Sequence, residues 1–119
     1  MKKVLIVEDD PFIRDITTIK LSEHGYSVVA AATGEEALIS LQTEVIEVVI
    51  LDLDLPGISG LDVLSHMRKT KKLEKINTII FSNNDDIELR EKIDTLGVSG
   101  FFIKASTEYD ELYHLIDSL

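Results

Sequence analysis

Short runs of apolar, mostly β-branched or aromatic residues recur along this chain, separated by longer stretches with apolar residues at helical spacing. Residues 4–7, 28–31, 48–51, 78–81 and 101–103 form the short runs and read as strands. The first, third and fourth lack polar alternation, as expected of parallel strands covered on both faces. Between them, Ile13, Ile16 and Leu21 mark a first helix, which opens at Asp10-Pro11, a capping residue followed by proline at the first helical position. Thr33-Gly34-Glu35-Glu36 has the form of a capping box ahead of Ala37, Leu38 and Leu41. Leu61, Leu64 and Met67 or Arg68 define a third helix, and Ile87, Ile93 and Leu96 a fourth. Leu112, Leu115, Ile116 and Leu119 give the fifth its apolar face. Gly25 and Gly97 stand where helices stop in a left-handed conformation, and Pro56-Gly57 suits the centre of a type II turn.

Five strand–helix units predict an α/β fold, a five-stranded parallel sheet doubly wound with five helices. Right-handed crossovers leave few strand orders. The order 2-1-3-4-5 places the switch point between strands 1 and 3, where ligands bind at the carboxyl ends of the strands. Charge narrows the function further. Twelve basic residues against 22 acidic ones give a net charge of −10, which disfavours direct contact with nucleic acid or an anionic membrane. With no cysteine, disulfides and thiolate metal sites are excluded. The longest apolar stretch, residues 28–32, is far short of the ~20 residues that cross a bilayer. A single cytoplasmic domain over residues 1–119 is the expectation.

The residues just past the strands carry the chemistry. Strand 1 runs into Glu8-Asp9-Asp10, strand 3 into Asp52, strand 4 into Ser82 and strand 5 into Lys104, whereas strand 2 ends in alanines. Carboxylates gathered at one rim repel, and a hard divalent cation such as Mg2+ relieves them through oxygen ligands. A carboxylate beside that cation can attack phosphorus and form an acyl phosphate, with the lysine and hydroxyl as donors to the phosphoryl oxygens. Asp52, at the end of the most apolar strand, is the best nucleophile in the set. Asp10, set before Pro11, reads as a helix cap, and the lesser reading of Ser82 is a cap for the helix that follows it. His24, His66 and His114 read as isolated surface residues.

The segment Val4-Leu5-Ile6-Val7-Glu8-Asp9-Asp10, followed by Asp52-Leu53-Asp54-Leu55-Pro56-Gly57, Ser82 and Lys104, resembles the receiver domain of bacterial two-component response regulators. The resemblance spans the whole chain and implies the flavodoxin-like fold of that family, as one receiver domain with no output domain in these residues. It implies a phosphoacceptor, not an enzyme with turnover, that at most promotes its own phosphotransfer and dephosphorylation. By the same resemblance Asp52 is phosphorylated by a sensor histidine kinase or phosphotransfer protein. Asp9 binds Mg2+ directly, Glu8 acts through water, and Asp52 and the backbone carbonyl of Asp54 complete the protein ligands. Ser82 and Lys104 hold the phosphoryl group, and Phe101, three residues before Lys104, matches the aromatic that turns inward on activation. A downstream protein then meets the face formed by helix 4, strand 5 and helix 5, where Phe102, Tyr109 or Tyr113 are candidates.

Three positions depart from the family pattern. Ala105 stands where proline usually follows the lysine, Phe101 lacks the hydroxyl of the usual switch residue, and Asp54 is acidic where neutral or basic side chains are common. Two other functions fit parts of the sequence. Asp52-Leu53-Asp54 also resembles the first motif of haloacid-dehalogenase-type phosphohydrolases, although in those enzymes the motif follows the first strand. A pseudo-receiver that binds partners without phosphorylation is the other reading.

Overall fold

Alternation of apolar runs and amphipathic stretches builds five strands, β1 (Lys3–Val7), β2 (Ser27–Ala31), β3 (Val48–Leu51), β4 (Asn77–Ser82) and β5 (Gly100–Ile103). Five helices join them, α1 (Pro11–Glu23), α2 (Gly34–Thr43), α3 (Gly60–Lys69), α4 (Ile87–Leu96) and α5 (Tyr109–Ser118). This computed structural model describes residues 1–119. All strand pairs are parallel and their order is β2-β1-β3-β4-β5, the predicted one.

Alternate residues of each strand point to opposite faces, so the sheet makes two cores. Leu5, Val7, Val49, Leu51 and Ile80 pack with Ala37, Leu41, Val63, Leu64, Met67 and Ile93 from α2, α3 and α4. Val4, Ile6, Val48, Ile50, Ile79 and Phe81 pack with Leu21, Leu112 and Ile116 from α1 and α5. Burying both faces of the central strands is what their unbroken apolar sequence requires. Phe101 joins the first core and Phe102 the second.

The helix ends follow their chemistry, with corrections. Asp10 caps α1, accepting the N–H groups of Phe12 and Ile13 at 2.9 and 3.1 Å. Thr33 caps α2 through the Glu36 N–H, but the Glu36 carboxylate accepts the N–H of Ala32, one residue before the cap, so the expected capping box is only half formed. Asp86, not Ser82, caps α4. Ile87 does not share the buried face of α4, being 74% exposed at the first turn. Gly97 has positive φ (90°) with ψ 124°, so it turns the chain out of α4 without a left-handed helical cap. Gly57, at φ 74°, fits the turn assigned to it.

Two tertiary ties left no sequence trace. Arg68 at the end of α3 donates to the carbonyls of Gly97 (2.9 Å), Ile76 (3.1 Å) and Glu74 (3.3 Å) and to Thr78 Oγ1 (3.2 Å). It clips α3, β4 and the end of α4 together at the amino ends of the strands. On the other face, α1 and α5 are joined by polar contacts. Thr17 Oγ1 meets Tyr109 Oη at 2.9 Å, Tyr113 Oη donates to the Lys20 carbonyl, and Asp117 accepts from Tyr26 Oη and from His24 Nε2. The His24 ring stacks on Tyr113 at 4.0 Å, so this histidine is not isolated. Phe102, Tyr109 and Tyr113 are half-buried on the α1–α5 side of the sheet.

Candidate functional site

Strand register brings the expected residues to one rim. Val7 pairs with Leu51 and Ser82 with Ile103, so Glu8, Asp52 and Lys104 each begin just past a strand while Ser82 closes β4. Gly60 at the start of α3 lets that helix press on the loop that follows β3. A Cβ there would lie 2.1 Å from the Asp52 carbonyl oxygen and 2.7 Å from Leu53 Cα, closer than any side chain permits.

Asp52 is 4% exposed and both its carboxylate oxygens are engaged. Oδ2 accepts from Lys104 Nζ at 2.7 Å, and Oδ1 accepts from the Asp54 N–H at 3.3 Å. Lys104 also contacts Glu8 Oε1, and Glu8 Oε2 accepts from the Asp10 N–H at 3.1 Å. Arg14 Nη1 steadies the same loop by donating to the Glu8 carbonyl at 3.0 Å. Asp9 is exposed, yet one carboxylate oxygen from each of Glu8, Asp9 and Asp52 lies within 4.8 Å of the other two.

Burial pushes the Glu8 carboxyl above its ordinary pKa, with the hydrogen bond from Lys104 pulling the other way. Burial alone would lower Lys104, but its hydrogen bonds to Asp52 and Glu8 outweigh this and hold it above the ordinary lysine value. Lys104 is therefore an ammonium at neutral pH. Three carboxyl groups around one ammonium present hard oxygen donors, and this donor set fits a divalent cation such as Mg2+.

The remaining expected residues are less uniform. Ser82 is fully buried, and its Oγ accepts from the Asn84 N–H at 3.2 Å, leaving its own O–H free to donate. The Asp54 carboxylate accepts from Asn84 Nδ2 at 3.0 Å. Phe101 is half-buried, with the Arg90 guanidinium 4.0 Å over its ring. No cis peptide is present, and Ala105 enters a 3-10 turn over Lys104–Ser106, its N–H donating to Asn83 Oδ1 at 2.8 Å. Asn83 stands just past β4 and carries no sequence signal of its own once Ser82 is read as the residue after the strand, and Asn84 and Arg14 are single polar residues outside any periodic pattern.

A doubly wound sheet whose carboxyl rim holds a buried aspartate, a paired lysine and further acids defines a class of protein built for phosphoryl chemistry. Comparisons with known proteins make the family specific. Residues 4–117 match the family model described as response regulator receiver domain. Over 105 residues the chain is 37% identical to the transcriptional activator protein ExaE of Pseudomonas putida, covering 87% of this chain and 48% of that protein. Over 89 residues it is 36% identical to the transcriptional regulatory protein AfsQ1 of Streptomyces coelicolor, covering 75% of this chain and 39% of that protein. The chain thus spans less than half the length of these relatives. Among solved structures, the response regulator TrrA of Thermotoga maritima, in complex with Mg2+ and BeF, superposes with TM-score 0.86 at 34% identity, covering 99% of this chain and 98% of that one. A response regulator receiver protein from Pseudomonas putida gives TM-score 0.94 at 28% identity, covering 99% and 97%.

The chain belongs to the response regulator receiver domain family. That membership sets aside the phosphohydrolase reading of Asp52-Leu53-Asp54, in keeping with an Asp54 side chain tied to Asn84. No helix is long and apolar enough to cross a membrane.

Proposed function

We propose that Asp52 accepts a phosphoryl group from the phosphohistidine of a sensor kinase or phosphotransfer protein, in a Mg2+-dependent step. The observation that carries this reading is the Asp52 carboxylate, buried, held at 2.7 Å by Lys104 and flanked by the Glu8 and Asp9 oxygens. An Asp52 oxygen attacks phosphorus, a new O–P bond forms, and the N–P bond of the donor breaks with its electron pair returning to the imidazole. Glu8, Asp9 and Asp52, with the Asp54 backbone carbonyl, would hold the cation, Glu8 through a water molecule. When bound, Mg2+ supplies positive charge that offsets the phosphoryl oxygens. Lys104 shifts from the carboxylate to a phosphoryl oxygen, and the free Ser82 O–H donates to another.

Phosphorylation replaces one carboxylate charge with about two. At ~4 Å and an effective dielectric near 20, the added charge interacts with the ammonium by about 4 kcal/mol before desolvation. A switch from 1:99 to 99:1 needs ~5.5 kcal/mol, so this contact and the Ser82 hydrogen bond together are of the right size. The movement passes through Phe101, packed beneath Arg90 beside α4, to the α4–β5–α5 face, where a downstream protein binds. The setting is the cytoplasm, and the role is that of a phosphoacceptor whose partners are proteins.

Incubation with acetyl phosphate and Mg2+, followed by intact-mass measurement, tests the reading. Wild type gains one phosphoryl group per chain, and Asp52→Asn gains none. Equal uptake by both proteins would move the acceptor elsewhere.

A further inference from the structure

We propose that Asn83 is a positioning residue for phosphoryl transfer, setting the Lys104 loop against the Ser82 loop through its hydrogen bond from the Ala105 N–H. The inference rests on the reading of Asp52 as acceptor. Ser82 and Ile103 are register partners on neighbouring strands, so Asn83 and Lys104 leave the sheet side by side. Ala105 then offers a backbone N–H that a proline at this position would lack, and Asn83 Oδ1 takes it at 2.8 Å. Other ties at the base of this loop stay within it. Thr107 Oγ1 donates to the Ile103 carbonyl, and the Thr107 N–H reaches the Lys104 carbonyl at only 3.5 Å.

The adjacent Asn84 extends the brace. Its N–H holds Ser82 Oγ, its Nδ2 holds the Asp54 carboxylate, and its Oδ1 accepts the Asp86 N–H at 3.1 Å. Two consecutive asparagines therefore join the loops after β3, β4 and β5, which carry the acceptor, the hydroxyl and the ammonium. Lys104 reaches Asp52 through a long, flexible side chain, and the position of its ammonium depends on where this loop holds its backbone. Releasing the loop spreads those positions and weakens a preorganised donor.

The experiment compares wild type, Asn83→Ala, Ala105→Pro and the double variant, using acetyl phosphate as donor at saturating Mg2+. Loss of one exposed hydrogen bond corresponds to about a fivefold slower uptake for Asn83→Ala. Amide exchange at Ala105 accelerates in the same variant while its thermal midpoint stays near wild type. In the Ala105→Pro background, where the donor is gone, Asn83→Ala has no further effect. An uptake rate for Asn83→Ala equal to wild type, or an equal loss in both backgrounds, overturns the proposal. Wild type that takes up no phosphoryl group overturns the acceptor reading itself, a result distinct from either of these.

Discussion

Two half-buried cations stand at opposite ends of the same sheet, and their surroundings could hardly differ more. Lys104, at the carboxyl rim, is held by the Asp52 and Glu8 carboxylates. Arg68, at the amino rim, meets only neutral oxygens, and its five N–H groups are all spent on the Gly97, Ile76 and Glu74 carbonyls and Thr78 Oγ1. Burial lowers the Arg68 pKa with no anion to offset it, whereas the two carboxylates carry Lys104 upward against the same effect. A guanidinium satisfied by backbone carbonyls has nothing to exchange and acts as a clip. An ammonium shared between two acids can pass to a third anion, which is the role proposed for Lys104 at the carboxyl rim.

The contrast can be broken by exchanging stability for activity at either end. Lys104→Met has the largest expected effect, a fall in phosphoryl uptake on the order of 100-fold with the fold retained, followed by intact mass against time. Arg68→Ala gives the reverse pattern. Stranding its carbonyl acceptors costs about 2 kcal/mol of stability in urea unfolding, while uptake per folded molecule is unchanged. Arg68→Lys recovers little, because one ammonium cannot replace a planar fork reaching four groups.

The smallest effect sharpens the comparison with a third charge, beside the start of β2. Hydrogen bonds from Tyr26 and then His24 hold the Asp117 carboxyl below its ordinary value of 3.8. A carboxyl lowered on folding stabilises the native state above its unfolded-state pKa, and that contribution disappears as pH falls through the folded-state value. Wild type is therefore more stable than Asp117→Asn by a constant margin at neutral pH, and the margin closes below about pH 3.8. Urea midpoints from pH 3 to 7 measure it, with phosphoryl uptake unaffected.

The fold was legible because the three central strands had to be covered on both faces, and residues 4–7, 48–51 and 78–81 carry that demand in every position. Glu8, Asp9, Asp52, Ser82 and Lys104 were legible for a related reason, since a parallel sheet sends the residues after its strands to one rim. What escaped were polar contacts between distant segments. Asn83 meets Ala105 22 residues away, Arg68 meets Gly97 29 residues away, and His24 meets Asp117 93 residues away. None belongs to a repeating pattern, so nothing local announces a partner. Ile87 did mark the start of α4, but it lies outside the buried face, because an apolar residue in the first turn of a helix need not face the core.

Side-chain nitrogen NMR of Lys104 and Arg68, before and after adding beryllofluoride with Mg2+, compares the two cations in one sample. The Lys104 ammonium resonance should shift as it leaves Asp52 for the bound anion, while the Arg68 guanidinium resonances stay in place. A Lys104 signal that does not respond, or an Arg68 signal that moves as far, would contradict the assignment of one cation to the switch and the other to the scaffold.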